Sequence, residues 1–267
     1  MGSSIAAQVL MSGHCATVVE AKADAADRAR DRIRATVDRA RERGFVELGS
    51  DVVDSHLTVT ADYETLADSS LVIESVPEIV ELKRDVISRV RRVVPETLPI
   101  GSNTSSIAIR SLQEGLAGAE NIGGVHFFNP VPASSLIEIV VGPLTSDHSV
   151  AYFRELAELL GKVSIVVEDV PGFATSRLGV ALGLEAIRML EEGVASAEDI
   201  DQAMALGYKH PIGPLRLTDL VGLDVRLAIA RYLEHQLGPR FSPPPLLVSM
   251  VEAGNLGKKS GRGFFVW

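Results

Sequence analysis

Apolar positions at Ile5, Ala6, Val9 and Leu10 recur at helical spacing, and Gly13 follows them as a stop. "CATVVE" comes next, a short and mostly apolar strand that ends in an acid. "AKADAADRARDRIRATVDRARERG" predicts a long amphipathic helix with Ile33 and Val37 on its buried side, closed by Gly44. Strands are predicted at "HLTVTADY" and "SSLVIESV", with a short helix at "ETLAD" between them. "EIVELKRDVISRVRRVV" reads as a helix and "LPIGSN" as a strand whose proline places it at a start or an edge. Two apolar strands, "NIGGVHFF" and "LIEIVV", then flank "NPVPASS". "SVAYFRELAELLG" is a helix and "KVSIVVED" a last strand. This alternation is the signature of a parallel α/β sheet. From Ala174 onward the pattern predicts helices only, at "SRLGVALGLEAIRMLEEG", "SAEDIDQAMALG", "LRLTDLVGLDVRLAIARYLEHQLG" and "PPLLVSMVEAG". A domain boundary near Asp169 to Pro171 is expected, giving a sheet domain over 1–169 and an all-α domain over 170–267.

Composition narrows the chemistry. The 267 residues are 46% hydrophobic, enough for a sizeable core. The net charge of −9 argues against a general nucleic-acid surface, which needs clustered positive charge. Cys15 is the single cysteine, so no internal disulfide forms, and a reducing, cytoplasmic setting is expected. No apolar run reaches the ~18 residues of a membrane span, and the N-terminus lacks the pattern of a secretory signal.

The opening stretch resembles the second half of a dinucleotide-binding unit: glycine turn, helix, strand, acid. Gly2 would be the last glycine of the turn, residues 3–12 the helix, and Glu20 the acid on the ribose, 18 residues after Gly2. A 2′-phosphate beside Glu20 would be repelled, which favours NAD over NADP. An ordinary helix-to-strand connection has the same spacing. The first strand of such a Rossmann-type domain and its first two glycines are not in the sequence. Without that strand its neighbours would carry unpaired backbone groups. The expectation is that the gene begins upstream, with Met1 inside the glycine turn and about twenty to thirty residues ahead of it.

"GGVHFFNPVPASSLIEIV" carries the candidate chemistry. His126 ends an apolar strand, and Glu138 lies 12 residues on in the next. A chain reversal at Asn129–Pro130 would bring the pair together. A carboxylate on one ring nitrogen fixes the tautomer and raises the basicity of the other, which then removes a hydroxyl proton as hydride leaves the same carbon. A histidine among aromatics is otherwise a packed core residue.

This segment resembles the 3-hydroxyacyl-CoA dehydrogenase family, which has the same His-Phe-Phe-Asn-Pro run and a glutamate at this distance. So do "LVIESVPEIVELK", "GSNTSSIAI", "EDVPGFATSRL", "GYKHPIGPLRLTDLVGLD" and "GKKSGRGFFVW", in the family's order and over nearly the whole chain. The resemblance implies an NAD-dependent oxidation of a 3-hydroxyacyl-CoA to the 3-ketoacyl form, in fatty acid metabolism. It implies His126 as catalytic base, Glu138 as its orienting partner and Ser105 as the residue at the reacting oxygen. Gly2, Glu20, Glu78, Lys83, Asn129 and Lys259 are implied as cofactor contacts. Substrate is expected between the two domains, with a homodimer formed through the helical one. Arginines of "RARDRIRATVDRARERG" would meet CoA phosphates, or simply form a solvated face. Ser105 has a plain alternative as a helix cap, Glu78 as a first-turn acid, and Lys83 and Lys259 as surface charges.

One departure from the family concerns the substrate. Many members have asparagine, which assists the substrate, where this chain has Ser176. Ser134 and Ser135 also stand where larger residues are common, which points to an altered pocket. Two other readings remain open: a dehydrogenase of a carrier-protein-bound or free hydroxy acid, and a non-catalytic oligomer whose cofactor glycine loop is truncated.

Overall fold

A computed structural model describes residues 1–267, the side chain of Ser50 excepted. The chain divides into two compact units, Met1–Asp169 and Val170–Trp267.

The first unit alternates helix and strand as the periodicity predicts. It runs α1 (Gly2–Met11), β1 (Ala16–Val19), α2 (Ala23–Glu42), α3 (Ser50–His56), β2 (Leu57–Thr60), β3 (Val72–Glu74), α4 (Val80–Arg91), β4 (Ile100–Ser102), α5 (Ile109–Gln113), β5 (Ile122–Phe127), β6 (Leu136–Val141), α6 (Asp147–Leu159) and β7 (Val163–Glu168). This is a Rossmann-like α/β arrangement, but its strands form two sheets. β1 and β2 make a parallel pair, and β3-β4-β5-β6-β7 make a five-stranded sheet. Pairing in the larger sheet is parallel except between β5 and β6. The break falls between β1 and β3, where the sequence pattern expects the strand ahead of Gly2. β1 and β3 each pair on one side only and are half-buried, whereas β5 is buried throughout.

α1 spans the break. Ala6, Ala7 and Leu10 pack with α2, β1 and β2 around Ile33, Val37 and Val59. Ile5, on another side of the same helix, packs with Ile73, Val125 and Ile139 of the larger sheet. Gln8 adds a hydrogen bond from Nε2 to the Leu160 carbonyl at 3.2 Å.

The second unit holds α7 (Thr175–Glu191), α8 (Ala197–Gln202), α9 (Pro214–Val221), α10 (Leu223–Leu237) and α11 (Pro245–Glu252). Leu184, Ile187, Leu215, Leu227 and Leu233 are among its buried core. Two differences from the sequence reading have local causes. "LRLTDLVGLDVRLAIARYLEHQLG" is two helices, because Gly222 adopts φ 101°, a conformation incompatible with a continuous helix. The tail is not wholly helical either: Arg262 bridges both Gly257 and Val266 in antiparallel fashion. Asp219 ties this tail down, accepting from the backbone N–H of Phe264 and Phe265 and from Trp267 Nε1, each at 2.9 Å. Among the described residues, no helix is long and apolar enough to cross a membrane.

Candidate active site

His126 and Glu138 are directly opposite in the antiparallel β5–β6 ladder. Opposed residues on one face bring their Cβ atoms within about 5 Å, and here the side chains meet: His126 Nδ1 lies 3.0 Å from Glu138 Oε2. Glu138 is fully buried and the imidazole 10% exposed. Phe128 stacks at a tilt on the imidazole, ring centroids 4.5 Å apart. Asn103, at the end of β4, braces the same strand: its Oδ1 accepts from Phe127 N at 2.9 Å and its Nδ2 donates to Ser75 Oγ at 3.2 Å. The loop between β5 and β6 is clamped from beneath. Lys162, 8% exposed, donates to the carbonyls of Val131 at 2.8 Å and Ser134 at 2.5 Å, and burial lowers its pKa. Asn129 is exposed on this loop, in a cis bond to Pro130.

Ser105 follows β4 and is exposed. It does not cap a helix. α5 opens only at Ile109, and its first N–H groups, of Ile109 and Arg110, donate to Asp169 at 2.9 Å each. The loop bearing Ser105 is instead wrapped around Glu78. Glu78 Oε1 accepts from Thr104 Oγ1 at 2.5 Å, from the backbone N–H of Ser105 and Ser106 at 3.0 Å, and from Ile107 N at 3.3 Å. Burial alone would raise the Glu78 carboxyl, but the Thr104 hydrogen bond, the Lys83 charge and the Ser106 donors outweigh it and lower its pKa.

Lys83 is not a surface charge. It is 0% exposed. Its ammonium donates to both Glu74 oxygens, at 2.9 and 3.1 Å, and to the Val76 carbonyl at 3.1 Å, and lies 3.4 Å from Glu78 Oε2. Ser102 Oγ donates to the second Glu74 oxygen at 2.5 Å and Val76 N to the first at 2.6 Å. Lys83 therefore knits β3, β4 and the Ser105 loop together, which is a supporting role. Three residues of this machinery, Glu74, Asn103 and Lys162, were not singled out from the sequence. Glu74 alone left a signal, an acid ending an apolar strand.

Gly2 and Glu20, the two further positions expected from the sequence, lie at the carboxyl ends of β3 and β1, where open α/β sheets bind ligands. Gly2 opens α1 beside Ser75, at the end of β3; a Cβ there would lie 3.7 Å from Ser75 Cβ. Glu20 directly follows β1. Its carboxylate, 27% exposed, lies 3.6 Å from Arg32 Nη2, while Arg32 Nε donates to Ser3 Oγ at 3.4 Å. α1 opens with no side-chain cap and no acid in its first turn. The N–H groups of Gly2 and Ser3 have no intrahelical acceptor, so the helix start suits a phosphate and Glu20 suits a ribose. The residues present thus fit a dinucleotide. Most arginines of α2 are paired on the helix surface, as Arg28 is with Asp24 and Arg34 with Asp54.

Two positions belong to the second unit. Ser176 is the second residue of α7 and half-buried. Lys259 Nζ holds both oxygens of Asp224, at 2.5 and 2.6 Å, and this contact lowers the Asp224 pKa. Among the described residues no cluster of His, Cys, Asp or Glu is arranged to hold a metal ion.

A Rossmann-like unit with a carboxylate-held imidazole and an open helix start at its strand ends defines a nicotinamide-dependent dehydrogenase. Residues 1–170 match the family description "3-hydroxyacyl-CoA dehydrogenase, NAD binding domain", and residues 172–267 its C-terminal domain. The chain belongs to the 3-hydroxyacyl-CoA dehydrogenase family. It is 42% identical over 272 residues to the 3-hydroxybutyryl-CoA dehydrogenase of Mycobacterium tuberculosis, covering 100% of this chain and 95% of that protein. A probable 3-hydroxybutyryl-CoA dehydrogenase of Deinococcus radiodurans is 38% identical, covering 99% of this chain and 96% of the relative. The crystal structure of (S)-3-hydroxybutyryl-CoA dehydrogenase from Ralstonia eutropha superposes with a TM-score of 0.93 at 35% identity, covering 100% of this chain and 95% of that one.

Proposed function

We propose that His126 and Glu138 carry the proton transfer of an NAD-dependent 3-hydroxyacyl-CoA dehydrogenase, which interconverts a 3-hydroxyacyl-CoA and its 3-ketoacyl form. The observation that carries this reading is the 3.0 Å contact of His126 Nδ1 with a fully buried carboxylate. With Nδ1–H donated to Glu138, Nε2 is the basic nitrogen and takes the proton of the 3-hydroxyl group. Glu138 stabilises the imidazolium that results. Ser105 positions the reacting oxygen, and Ser176 is the substrate contact offered by the helical unit. NAD, when bound, supplies the acceptor for the hydride leaving C3. Gly2 and Ser3 would hold its pyrophosphate, Glu20 its ribose, and Asn129 and Lys259 further parts of it, while Glu78 and Lys83 act by fixing the Ser105 loop. Glu20, directly after β1, supports NAD over NADP, because its carboxylate suits a ribose hydroxyl and would repel a 2′-phosphate.

The helical unit supports a homodimer. Leu178, Leu206, Tyr208, Val221 and Val225 expose 41–76% of their surface there, apolar area that a second copy would cover. The exposed, unpaired Cys15 supports a reducing, cytoplasmic setting.

The test is consumption of NADH with acetoacetyl-CoA by wild-type protein and by His126→Gln. Turnover in the wild type that falls by two orders of magnitude or more in the variant supports the assignment. Equal rates in the two would overturn it.

A further inference from the structure

Lys162 is a buried ammonium that takes no part in the proton transfer described above. It is 8% exposed, and burial alone lowers its pKa, with no carboxylate contributing. A charge buried without a counter-charge is costly, so its presence is explained by what it holds.

The chain fixes Lys162 from both sides. α6 ends in a Schellman turn: Gly161, at φ 65°, donates to the Glu158 carbonyl at 2.9 Å, and Lys162 N donates to that of Ala157 at 2.8 Å. The next residue opens β7, where Val163 pairs with Leu136 and its N–H donates to the Ser135 carbonyl at 2.7 Å. The backbone is thereby pinned beneath the β5–β6 loop, and the side chain reaches up into it. There the ammonium closes one turn. The Pro130 carbonyl accepts from the N–H groups of Ala133 and Ser134, at 3.1 Å each. The carbonyls of Val131 and Ser134 accept from no backbone N–H among the described residues, and both take the Lys162 ammonium, at 2.8 and 2.5 Å. An apolar residue at 162 would leave two carbonyls without a donor. Val131 is fixed by its side chain as well, 1% exposed and packed with Phe127 and Ile137.

This turn controls the residues ahead of it. Asn103 holds the N–H of Phe127 and Lys162 holds the carbonyl of Val131, so the stretch 127–131 is gripped at both ends. Between the grips stand Asn129 and Phe128, whose ring lies tilted 4.5 Å from that of His126. The Glu138 contact at Nδ1 fixes one point of the imidazole, and the Phe128 ring beside it sets the plane in which Nε2 points. We propose that Lys162 is a positioning residue for the reaction: by capping the turn after Pro130 it holds Phe128 against His126 and so fixes the direction of Nε2 toward the substrate hydroxyl. The inference rests on the reading of His126 as the base. A small slack in such a brace has a large effect on rate, because displacing a reacting group by about 1 Å costs up to about 100-fold.

Lys162→Met, Lys162→Arg, Phe128→Ala and the double variant Lys162→Met/Phe128→Ala test this, with bound NADH counted by fluorescence titration and acetoacetyl-CoA turnover measured on the same samples. In Lys162→Met, kcat per bound NADH should fall roughly tenfold or more, with both KM values within about twofold of wild type. Lys162→Arg, which keeps the charge and the donors, should recover most of the loss. Because the lysine acts through the Phe128 ring, the double variant should lose no more than Phe128→Ala alone. An unchanged kcat per bound NADH in Lys162→Met would overturn the proposal, even with a lowered melting point, since Lys162 would then support the fold only. Losses that multiply in the double variant would overturn it too. Should Lys162→Met fail to fold, Lys162→Gln takes its place: its amide is one bond shorter and reaches one carbonyl at most, so an intermediate loss supports the proposal and full activity overturns it. A wild-type protein without turnover would remove the reading of His126 itself, and the inference with it. Turnover abolished by His126→Gln but untouched by Lys162→Met would sink this inference alone.

Discussion

Lys83→Met is the sharpest test of how the site is supported. In the wild type the ammonium and the Glu74 carboxylate are both wholly buried and 2.9 Å apart. At an effective dielectric of about 20, unit charges at that distance attract by roughly 6 kcal/mol. Most of this is offset by the cost of removing both ions from water. Deleting the ammonium alone reverses the balance, because Glu74 stays buried with only the Ser102 hydroxyl and Val76 N–H as donors. Loss of one partner of a buried pair costs about 3–5 kcal/mol. For a chain of this size that corresponds to a melting-point drop of roughly 10 °C. Combining it with Glu74→Gln removes the stranded charge, and the double variant should recover to within about 1–2 kcal/mol of the wild type. Urea denaturation followed by far-ultraviolet circular dichroism measures all four members of the cycle. A Lys83→Met protein within about 1 kcal/mol of wild type would refute the picture of Lys83 as a buried brace.

Three further outcomes are expected. Glu138→Gln should lower kcat by about 100-fold or more with KM nearly unchanged, since it removes the charge that orients His126 without touching substrate; an equal loss in KM would point to a binding role. The Glu78 pKa is lowered in the folded state, so its charge stabilises above the ordinary carboxylate value of 4.5 and that contribution is lost as pH falls through the folded value. Glu78→Gln should therefore be less stable than wild type at pH 7, by about 1 kcal/mol, and the gap should narrow progressively as pH falls below 4.5 in the same urea assay. Asp219→Ala should free the C-terminal tail at a cost of about 3 kcal/mol, seen as a red shift of Trp267 emission and faster carboxypeptidase trimming; an unshifted spectrum would count against the three contacts.

Much of the first unit is legible in the sequence because its elements are strongly periodic. Ile33 and Val37 identify the buried side of α2, and the His-Phe-Phe-Asn-Pro run locates the β5–β6 reversal and so the 3.0 Å pair. What escaped was local chemistry without a periodic signal. α3, in "SDVVDSH", is too short to show a pattern and runs directly into β2. The break at Gly222 depends on a single dihedral angle within an otherwise helical pattern. Lys83 reads as a cofactor contact or a surface charge because lysine seldom enters a core, and only the fold reveals that Glu74, Ser102 and Glu78 surround it. Asp169 was read as a boundary residue, whereas it also caps α5 from sixty positions away in the chain.

α1 is the element common to both sheets: Ala6, Ala7 and Leu10 pack with β1 and β2, and Ile5 packs with the five-stranded sheet bearing His126. Glu20 directly follows β1, and the start of α1 lies beside Ser75 at the end of β3. A ligand gripping both would therefore tie the two sheets to one another and return its binding energy as protection against local opening.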